Sequence, residues 1–195
     1  MKHTEFFKIL LVLLIMFFPA YELASAQDQL KFRNDNFTVR TRTISTARGE
    51  RAVTFRCYLH LPYVAIPVDK DFQSLNVYVP IKIDGTDIDA SHAPILFDIG
   101  AGGYVSVNNA KSNETSYRAD LALAAGYVVV SPGCRGRDNR FPDGRYYGKV
   151  PAAIVDLKAA VCCLRYNKNL IPGNTDWMVV DNQTTLGNSG LTQAS

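Results

Sequence analysis

Apolar and polar residues alternate along the first third of the chain, and this period of two predicts strands with one buried face. The clearest alternation spans residues 53–61 and ends at Pro62. Residues 75–81 alternate in the same way, and residues 37–44 form a weaker candidate strand. We therefore expect antiparallel strands in the N-terminal part of the fold.

Beyond residue 93 the pattern changes to short, almost continuous apolar runs. Runs at residues 94–99, 127–131 and 177–180 are typical of strands that are covered on both faces. Trp177 opens the last run and is expected in the core.

Two helices are predicted between these runs, over residues 117–125 and from Pro151 onward. The second helix carries an apolar stripe formed by Val150, Ile154, Leu157, Val161 and Leu164. Alternating strands and helices indicate an α/β fold, and right-handed crossovers place the strands in one parallel sheet. The expected architecture is a mostly parallel sheet with antiparallel N-terminal edge strands.

The N-terminus has the pattern of an export signal. Lys2 and Lys8 flank a short positive region, residues 9–18 are wholly apolar, and residues 24–26 read Ala-Ser-Ala, a signal-peptidase pattern. An uncleaved N-terminal anchor is the alternative. We favour a signal peptide over residues 1–26 and a mature domain over residues 27–195, secreted or periplasmic and free of the membrane.

Charge and cysteine spacing exclude some function classes. The chain has 21 Lys and Arg residues against 18 Asp and Glu, a formal charge of +3. This mild charge comes without a basic run, so a nucleic-acid partner is not expected. Four cysteines lack the spacing of a metal site, and they fit buried apolar residues and one disulfide about equally well. We expect no metal and no cofactor.

A glycine-rich loop, Gly100-Ala-Gly-Gly-Tyr104, follows the first buried strand. Glycines let backbone N–H groups turn toward a bound oxygen, so Gly102 and Gly103 are candidate donors of an oxyanion hole. A tight turn and a phosphate loop are the alternatives, although no phosphate-loop pattern occurs in the sequence.

Two serine or threonine positions near the C-terminus resemble a nucleophile elbow. Gly187-Asn-Ser-Gly190 matches most of GxSxG and makes Ser189 the candidate nucleophile, with Gly190 a further oxyanion donor. Counting from the preceding strand instead puts Thr185 in the nucleophile position. A simple loop is the third interpretation of this segment.

Charged and titratable residues elsewhere are assigned structural roles. The loop at residues 132–139 is expected to be solvated, with Arg135 and Arg137 pairing with Asp138 or Asp156. Asp156 is expected to pair with an arginine rather than to transfer protons. His60 and His92 are expected at the surface.

Three motifs in this order resemble the bacterial tannase and feruloyl-esterase-like branch of the α/β-hydrolases. They are the segments Pro94–Tyr104, Gly126–Asp138 and Gly148–Asn167, and the run Pro-Ala-Ala-Ile-Val-Asp-Leu-Lys-Ala-Ala is the most specific. The resemblance covers roughly residues 53–176. It implies an α/β-hydrolase-like fold, a serine acyl-enzyme mechanism, small aromatic ester substrates and no metal in the chemistry.

The chain departs from that family at its catalytic groups. The family's elbow is GTSAGG-like, whereas this sequence has Leu191 or Gln183 at an elbow position, depending on the register. Six residues follow Ser189, none acidic or histidine, and all three histidines of the chain precede the elbow. We therefore expect the N-terminal part of a hydrolase domain, truncated before its acid and base. The alternative is a catalytically inactive homologue with at most a binding role.

The signal-peptide assignment predicts the first residue of the exported protein. N-terminal sequencing of the secreted product should begin at Gln27, because cleavage follows the small residues at 24 and 26. A membrane-bound product that keeps Met1 would contradict the assignment.

Overall fold

The computed structural model describes residues 28–109 and 114–182, which form seven strands and two helices. The strands are β1 (Thr38–Thr46), β2 (Gly49–Pro62), β3 (Ser74–Ile83), β4 (Thr86–Asp87), β5 (Pro94–Ile99), β6 (Val128–Pro132) and β7 (Asn174–Asn182). The helices are α1 (Tyr117–Ala124) and α2 (Ala152–Tyr166). The residues assigned to the signal peptide lie outside the described part of the chain.

All strands belong to one mixed sheet with the order β1-β2-β3-β6-β5-β7, and the short β4 pairs with β3. Strands β6, β5 and β7 are parallel, whereas β1, β2 and β3 pair antiparallel and β3 meets β6 antiparallel. The α/β class and the antiparallel N-terminal strands are confirmed. The description as mostly parallel holds only for the three later strands, because hairpin-connected strands make up the other half.

The two helices cover opposite faces of the sheet. On one face α2 packs on alternate residues of the central strands, among them Val128, Val130 and Phe97. On the other face α1 packs on the intervening residues, among them Val129 and Leu96. Strands β5 and β6 are therefore buried on both sides, which explains their continuous apolar sequence.

The buried face of α2 differs from the predicted stripe. Val150 and Ile154 are more than half exposed. Leu164 is buried as predicted, but the other buried positions of the helix are Ala153, Asp156 and Ala160, which are not in the stripe. The inward position of Asp156, which binds an arginine from a neighbouring loop, sets the rotation of the helix.

Strand β7 exposes large apolar side chains. Trp177 is 60% exposed, as is Val180, and Val179 is 44% exposed, so the expectation that Trp177 lies in the core is wrong. The reason is its position, because within residues 28–109 and 114–182 no strand pairs with the outer edge of β7. An edge of this kind is a template for association.

All four cysteines are free thiols in the structure, and the disulfide alternative does not form. Cys57 and Cys134 are buried, and burial raises the pKa of the Cys134 thiol to about 11. The neighbours Cys162 and Cys163 lie on α2 and are not bonded to each other. Neither α1 nor α2, the two helices described, is long and apolar enough to cross a membrane.

The exposed edge of β7 predicts self-association. Val179→Lys should lower the concentration-dependent association of the chain, because a charge on an edge strand disfavours pairing with a second edge. Light scattering across a dilution series measures the effect. We expect the free energy of unfolding to change by less than about 0.5 kcal/mol, as for other exposed positions.

The matched control for this variant is Val39→Lys on β1, the strand at the other end of the sheet. Val39 is 54% exposed, but Arg40 and Arg42 already charge its strand. Association that falls equally in both variants would show that β7 is not the associating edge.

Candidate functional site

The candidate site lies at the carboxyl ends of the neighbouring parallel strands β5 and β6. The loop after β5 leads to α1 on one face, and the loop after β6 leads to α2 on the other. The two loops therefore diverge and leave a crevice at the strand ends, the usual binding position in open α/β sheets.

The loop after β5 contains a tight turn from Gly102 to Val105. The Val105 N–H donates to the Gly102 carbonyl oxygen at 2.9 Å. Both central residues are left-handed, with φ of 55° at Gly103 and 60° at Tyr104, which defines a type I′ turn. Tyr104 carries a Cβ in this conformation, at a cost of about 1–2 kcal/mol.

The amides of this turn are available to a ligand. The N–H groups of Gly102 and Gly103 donate to no acceptor among the described residues. Neighbouring free amides at a strand end can receive a negatively charged oxygen, as an oxyanion hole requires.

The loop after β6 holds the turn in place through backbone contacts. The Arg137 N–H donates to the Tyr104 carbonyl oxygen at 2.7 Å. The Ser106 N–H and hydroxyl each donate to one carboxylate oxygen of Asp138 at 2.7 Å. Burial alone would raise the pKa of Asp138, but the Ser106 hydrogen bonds outweigh it and lower that pKa. Asp138 thus stays ionised and orients Ser106.

Two glycines allow these loops to touch through their backbones. A Cβ on Gly136 would lie 2.0 Å from the Ser106 nitrogen, and a Cβ on Gly148 would lie 2.0 Å from the Gly136 oxygen. A side chain at Gly136 would push the two loops apart, and a side chain at Gly148 would displace the Gly136 backbone of the same loop. The glycines of the loop after β6 are therefore packing requirements, and the loop is not simply solvated.

A buried ion pair fixes the start of the same loop to α2. The Arg135 guanidinium donates to both Asp156 oxygens, from Nε at 2.9 Å and from an Nη at 2.8 Å. The Arg135 backbone N–H donates to the same carboxylate at 2.9 Å, and Gln73 donates at 3.0 Å. The Asp156 side chain is 1% exposed and that of Arg135 is 15% exposed. The predicted pairing of Asp156 with an arginine is confirmed.

Asp98 is the buried carboxylate of the site. It ends the apolar run of β5 and is 5% exposed. One oxygen accepts the Ser116 hydroxyl at 2.8 Å, and Ser116 caps α1 by accepting the Ala119 N–H at 3.1 Å. The other oxygen is buried and has no hydrogen-bond partner in the part of the chain that the structure describes. An unsatisfied buried carboxylate oxygen is uncommon and costs stability.

An apolar groove of about 330 Å³ separates the turn from the first half of α2. Its walls include Ile99, Tyr104, Ile154 and Leu157. Ile154 and Tyr104 are both about half exposed here, which explains why the predicted apolar stripe of α2 is not fully buried.

The residues predicted from sequence divide into two groups. Gly102 and Gly103 lie together in the turn, whereas Ser189, Gly190 and Thr185 lie outside the described residues. The surface positions of the two described histidines are confirmed. His60 is exposed at the end of β2, which is separated from β6 by β3, and His92 is exposed ahead of β5 at the opposite end of the sheet.

Sequence reasoning missed Asp98, Tyr104 and Ser106. Asp98 had a signal, because it is the single charged residue in the run Pro94–Ile99. The other two depend on contacts with the loop after β6 and had none. Across residues 28–109 and 114–182, no group of His, Cys, Asp and Glu side chains could hold a metal ion.

The fold is similar to solved tannases. The Fusobacterium nucleatum tannase has a TM-score of 0.66 at 34% identity, over 78% of this chain and 33% of that chain. A Lactobacillus plantarum tannase has a TM-score of 0.63 at 31% identity, over 78% and 34%. A tannin acyl hydrolase in complex with ethyl gallate has a TM-score of 0.64 at 30% identity, over 80% and 35%.

This chain spans about a third of the length of the tannases it matches. No family model and no curated protein matches the sequence. The similarities support a tannase-like relationship and, at that coarse level, an ester hydrolase-like function.

The Arg135–Asp156 pair predicts a large effect on stability. Asp156→Ala should lower the free energy of unfolding by about 3–5 kcal/mol, because it leaves a mostly buried guanidinium without its partner. Replacing both residues, as Arg135→Met with Asp156→Leu, should cost less than the single change. Urea unfolding measures both values.

The control is Asp143→Ala, which removes the exposed partner of Arg145. Exposed pairs contribute little, so its unfolding curve should stay close to that of the unchanged chain. If the unfolding curve of Asp156→Ala also stayed close to that of the unchanged chain, the role given to the buried pair would be contradicted.

Proposed function

We propose that this chain contributes the oxyanion-hole part of a tannase-type carboxylic-ester hydrolase acting on small aromatic esters. The observation that carries the proposal is the Gly102–Val105 turn, which leaves free amides in the crevice at the ends of β5 and β6. The similarity to tannases, one solved with ethyl gallate, supports the ester as substrate. The export pattern supports a secreted or periplasmic location.

In the proposed reaction, the Ser189 hydroxyl attacks the ester carbonyl carbon, and Thr185 is the alternative nucleophile. The carbonyl oxygen becomes an anion and accepts hydrogen bonds from the amides of Gly102, Gly103 and Gly190. The alcohol then leaves with a proton, and water hydrolyses the acyl-serine to release the acid. Each oxyanion donor of this kind contributes about 10²–10³ in kcat.

A serine hydroxyl needs a base, and this requirement supports the second candidate, a homologue inactive on its own. Both described histidines are exposed; His92 lies at the opposite end of the sheet, and β3 separates the strand of His60 from β6. The geometry of the described residues therefore supplies oxyanion donors and no general base.

The chain by itself should hydrolyse aromatic esters negligibly. Oxyanion donors and binding alone leave a residual rate about 10³–10⁴ above water when triad members are absent, far below that of a working esterase. Release of nitrophenol or of methanol from methyl gallate by the purified chain measures the rate. Strong turnover lost in Ser189→Ala would reveal a base within these residues, and loss in Thr185→Ala instead would favour the other register.

The proposed role of the turn is tested by placing it in a complete enzyme. A chimera carries residues 28–182 of this chain in place of the matching segment of the Fusobacterium nucleatum tannase. We expect it to hydrolyse methyl gallate. Gly103→Val should lower its kcat about 100-fold with little change in KM, because a branched residue at φ 55° redirects the amides.

The matched control is Gly144→Val, also at a left-handed glycine with no atom within 4 Å of an added Cβ. Gly144 lies in an exposed turn between Phe141 and Arg145. A folded chimera without activity, or equal losses in the two variants, would contradict the assignment of the turn.

A further inference from the structure

A second cavity lies at the end of the sheet opposite the candidate site. It has a volume of about 420 Å³ and is bounded by the second half of β3, the residues before β5 and the loop after α2. We call it the Arg56 cavity after the β2 residue in its wall. Its volume falls in the range of small-molecule sites, roughly 300–1,000 Å³.

Arg56 brings an unpaired positive charge to this cavity. No carboxylate of the described residues lies within ion-pair distance of its guanidinium. Its Nε is fully buried and has no hydrogen-bond acceptor among residues 28–109 and 114–182. The charge is thus partly removed from water without a carboxylate partner in the described part of the chain, which favours the binding of an anion.

The guanidinium is held in place by an aromatic ring. Its carbon lies 4.7 Å from the centre of the Phe37 ring, a cation–π distance. Phe37 in turn contacts the Tyr58 ring at 5.5 Å between centres. The Tyr58 hydroxyl donates to Asn34 at 2.7 Å, and Asn34 is also part of the cavity wall. These contacts connect the Arg56 guanidinium to Asn34 in the same wall.

The other charged groups leave an excess of one positive charge. Lys168 adds a second cation from the loop after α2, and Asp89 adds one anion. Asp89 already accepts the Ser91 N–H at 2.9 Å, and its pKa is lowered by hydrogen bonds from Ser91, so it stays ionised. Part of the remaining wall is apolar and includes Ile81, Ile88 and Leu170, although polar atoms make up most of the surface that lines the cavity.

We propose that the Arg56 cavity binds a small organic carboxylate with an apolar body, the carboxylate at Arg56 and Lys168 and the body against the isoleucine wall. Guanidinium groups match carboxylates geometrically, and an apolar wall favours an organic acid over a hydrated inorganic anion. The cavity lies at the amino ends of β5 and β7, so this site does not depend on the proposed ester hydrolysis.

Saturation-transfer NMR with benzoate tests the proposal, because it detects weak ligands at micromolar protein concentrations. The full chain should transfer saturation to benzoate in a saturable manner. Benzamide, the neutral analogue, should compete at least about tenfold more weakly, the loss expected for one charge-assisted contact. Formate keeps the charge but lacks the apolar body, and it should also compete at least about tenfold more weakly because it buries no apolar ring.

Variants at two cavity residues, with one control outside the cavity, locate the site. Arg56→Met should weaken benzoate binding about tenfold or more, while Arg56→Lys should retain part of it. Lys168→Met should weaken it less, and Lys158→Met, an exposed lysine of α2 outside the cavity, should leave it unchanged. Circular dichroism confirms that each variant is folded.

The proposal is overturned by any of three results. The first is the absence of a saturable benzoate signal up to about 10 mM, which would mean a binding free energy weaker than about 3 kcal/mol. The second is equal binding of benzoate and formate. The third is unchanged benzoate binding in folded Arg56→Met. If Arg56→Met does not fold, loss of binding in Lys168→Met but not in Lys158→Met still supports the site, and equal binding in those two variants rejects it.

Discussion

The site depends first on one buried carboxylate. Asp156 lies on α2, accepts both ends of the Arg135 fork and also binds the Arg135 backbone, so the loop after β6 leaves its strand in one direction. That direction brings Gly136 against the backbone of Ser106, where no Cβ fits. The Arg135–Asp156 pair thus positions the Gly102–Val105 turn indirectly, through the loop after β6. Because the pair is almost fully buried, its geometry is much less sensitive to salt than a surface pair would be.

The sheet could be predicted from sequence wherever burial follows a simple period. Alternation along β2 and β3, and the continuous apolar runs of β5 and β6, gave the correct elements because each residue's environment repeats every two positions. The same reasoning was wrong for α2, where counting apolar residues pointed to Ile154 and the structure buries Asp156 instead. Asp156 can be buried because Arg135 of the loop after β6 pairs with it, and the sequence of the helix alone does not reveal that partner. Trp177 was misplaced for a similar reason, since the position of β7 at the sheet edge is set by topology.

The candidate site was only partly predictable. The glycine-rich segment predicted backbone donors, and the structure places the amides of Gly102 and Gly103 in a turn where no described residue accepts a hydrogen bond from them. Tyr104 shows why the turn needs support from outside. A tyrosine in the left-handed region is unfavourable by itself, and its carbonyl is held by the Arg137 amide of the neighbouring loop. The unsatisfied oxygen of Asp98, directly before the glycines, is a second unfavourable feature at the same strand end. Such features are expected where a surrounding frame is rigid enough to impose them.

The two ends of the sheet offer anions different kinds of donor, and the difference has a chemical consequence. At the carboxyl ends of β5 and β6 the donors are uncharged amides. The ionised Asp138 lies nearby, and both of its carboxylate oxygens accept hydrogen bonds from Ser106. Neutral donors stabilise the negative charge that develops during a reaction, but they bind a permanently charged carboxylate only weakly. This suits an ester substrate, because its acid product must be released. At the amino ends the donors are full cations, Arg56 and Lys168, which attract a permanent anion without needing any chemistry. The two ends of one sheet therefore differ: the Gly102–Val105 turn suits the transient negative charge of a reaction, and the Arg56 cavity suits a permanently charged anion.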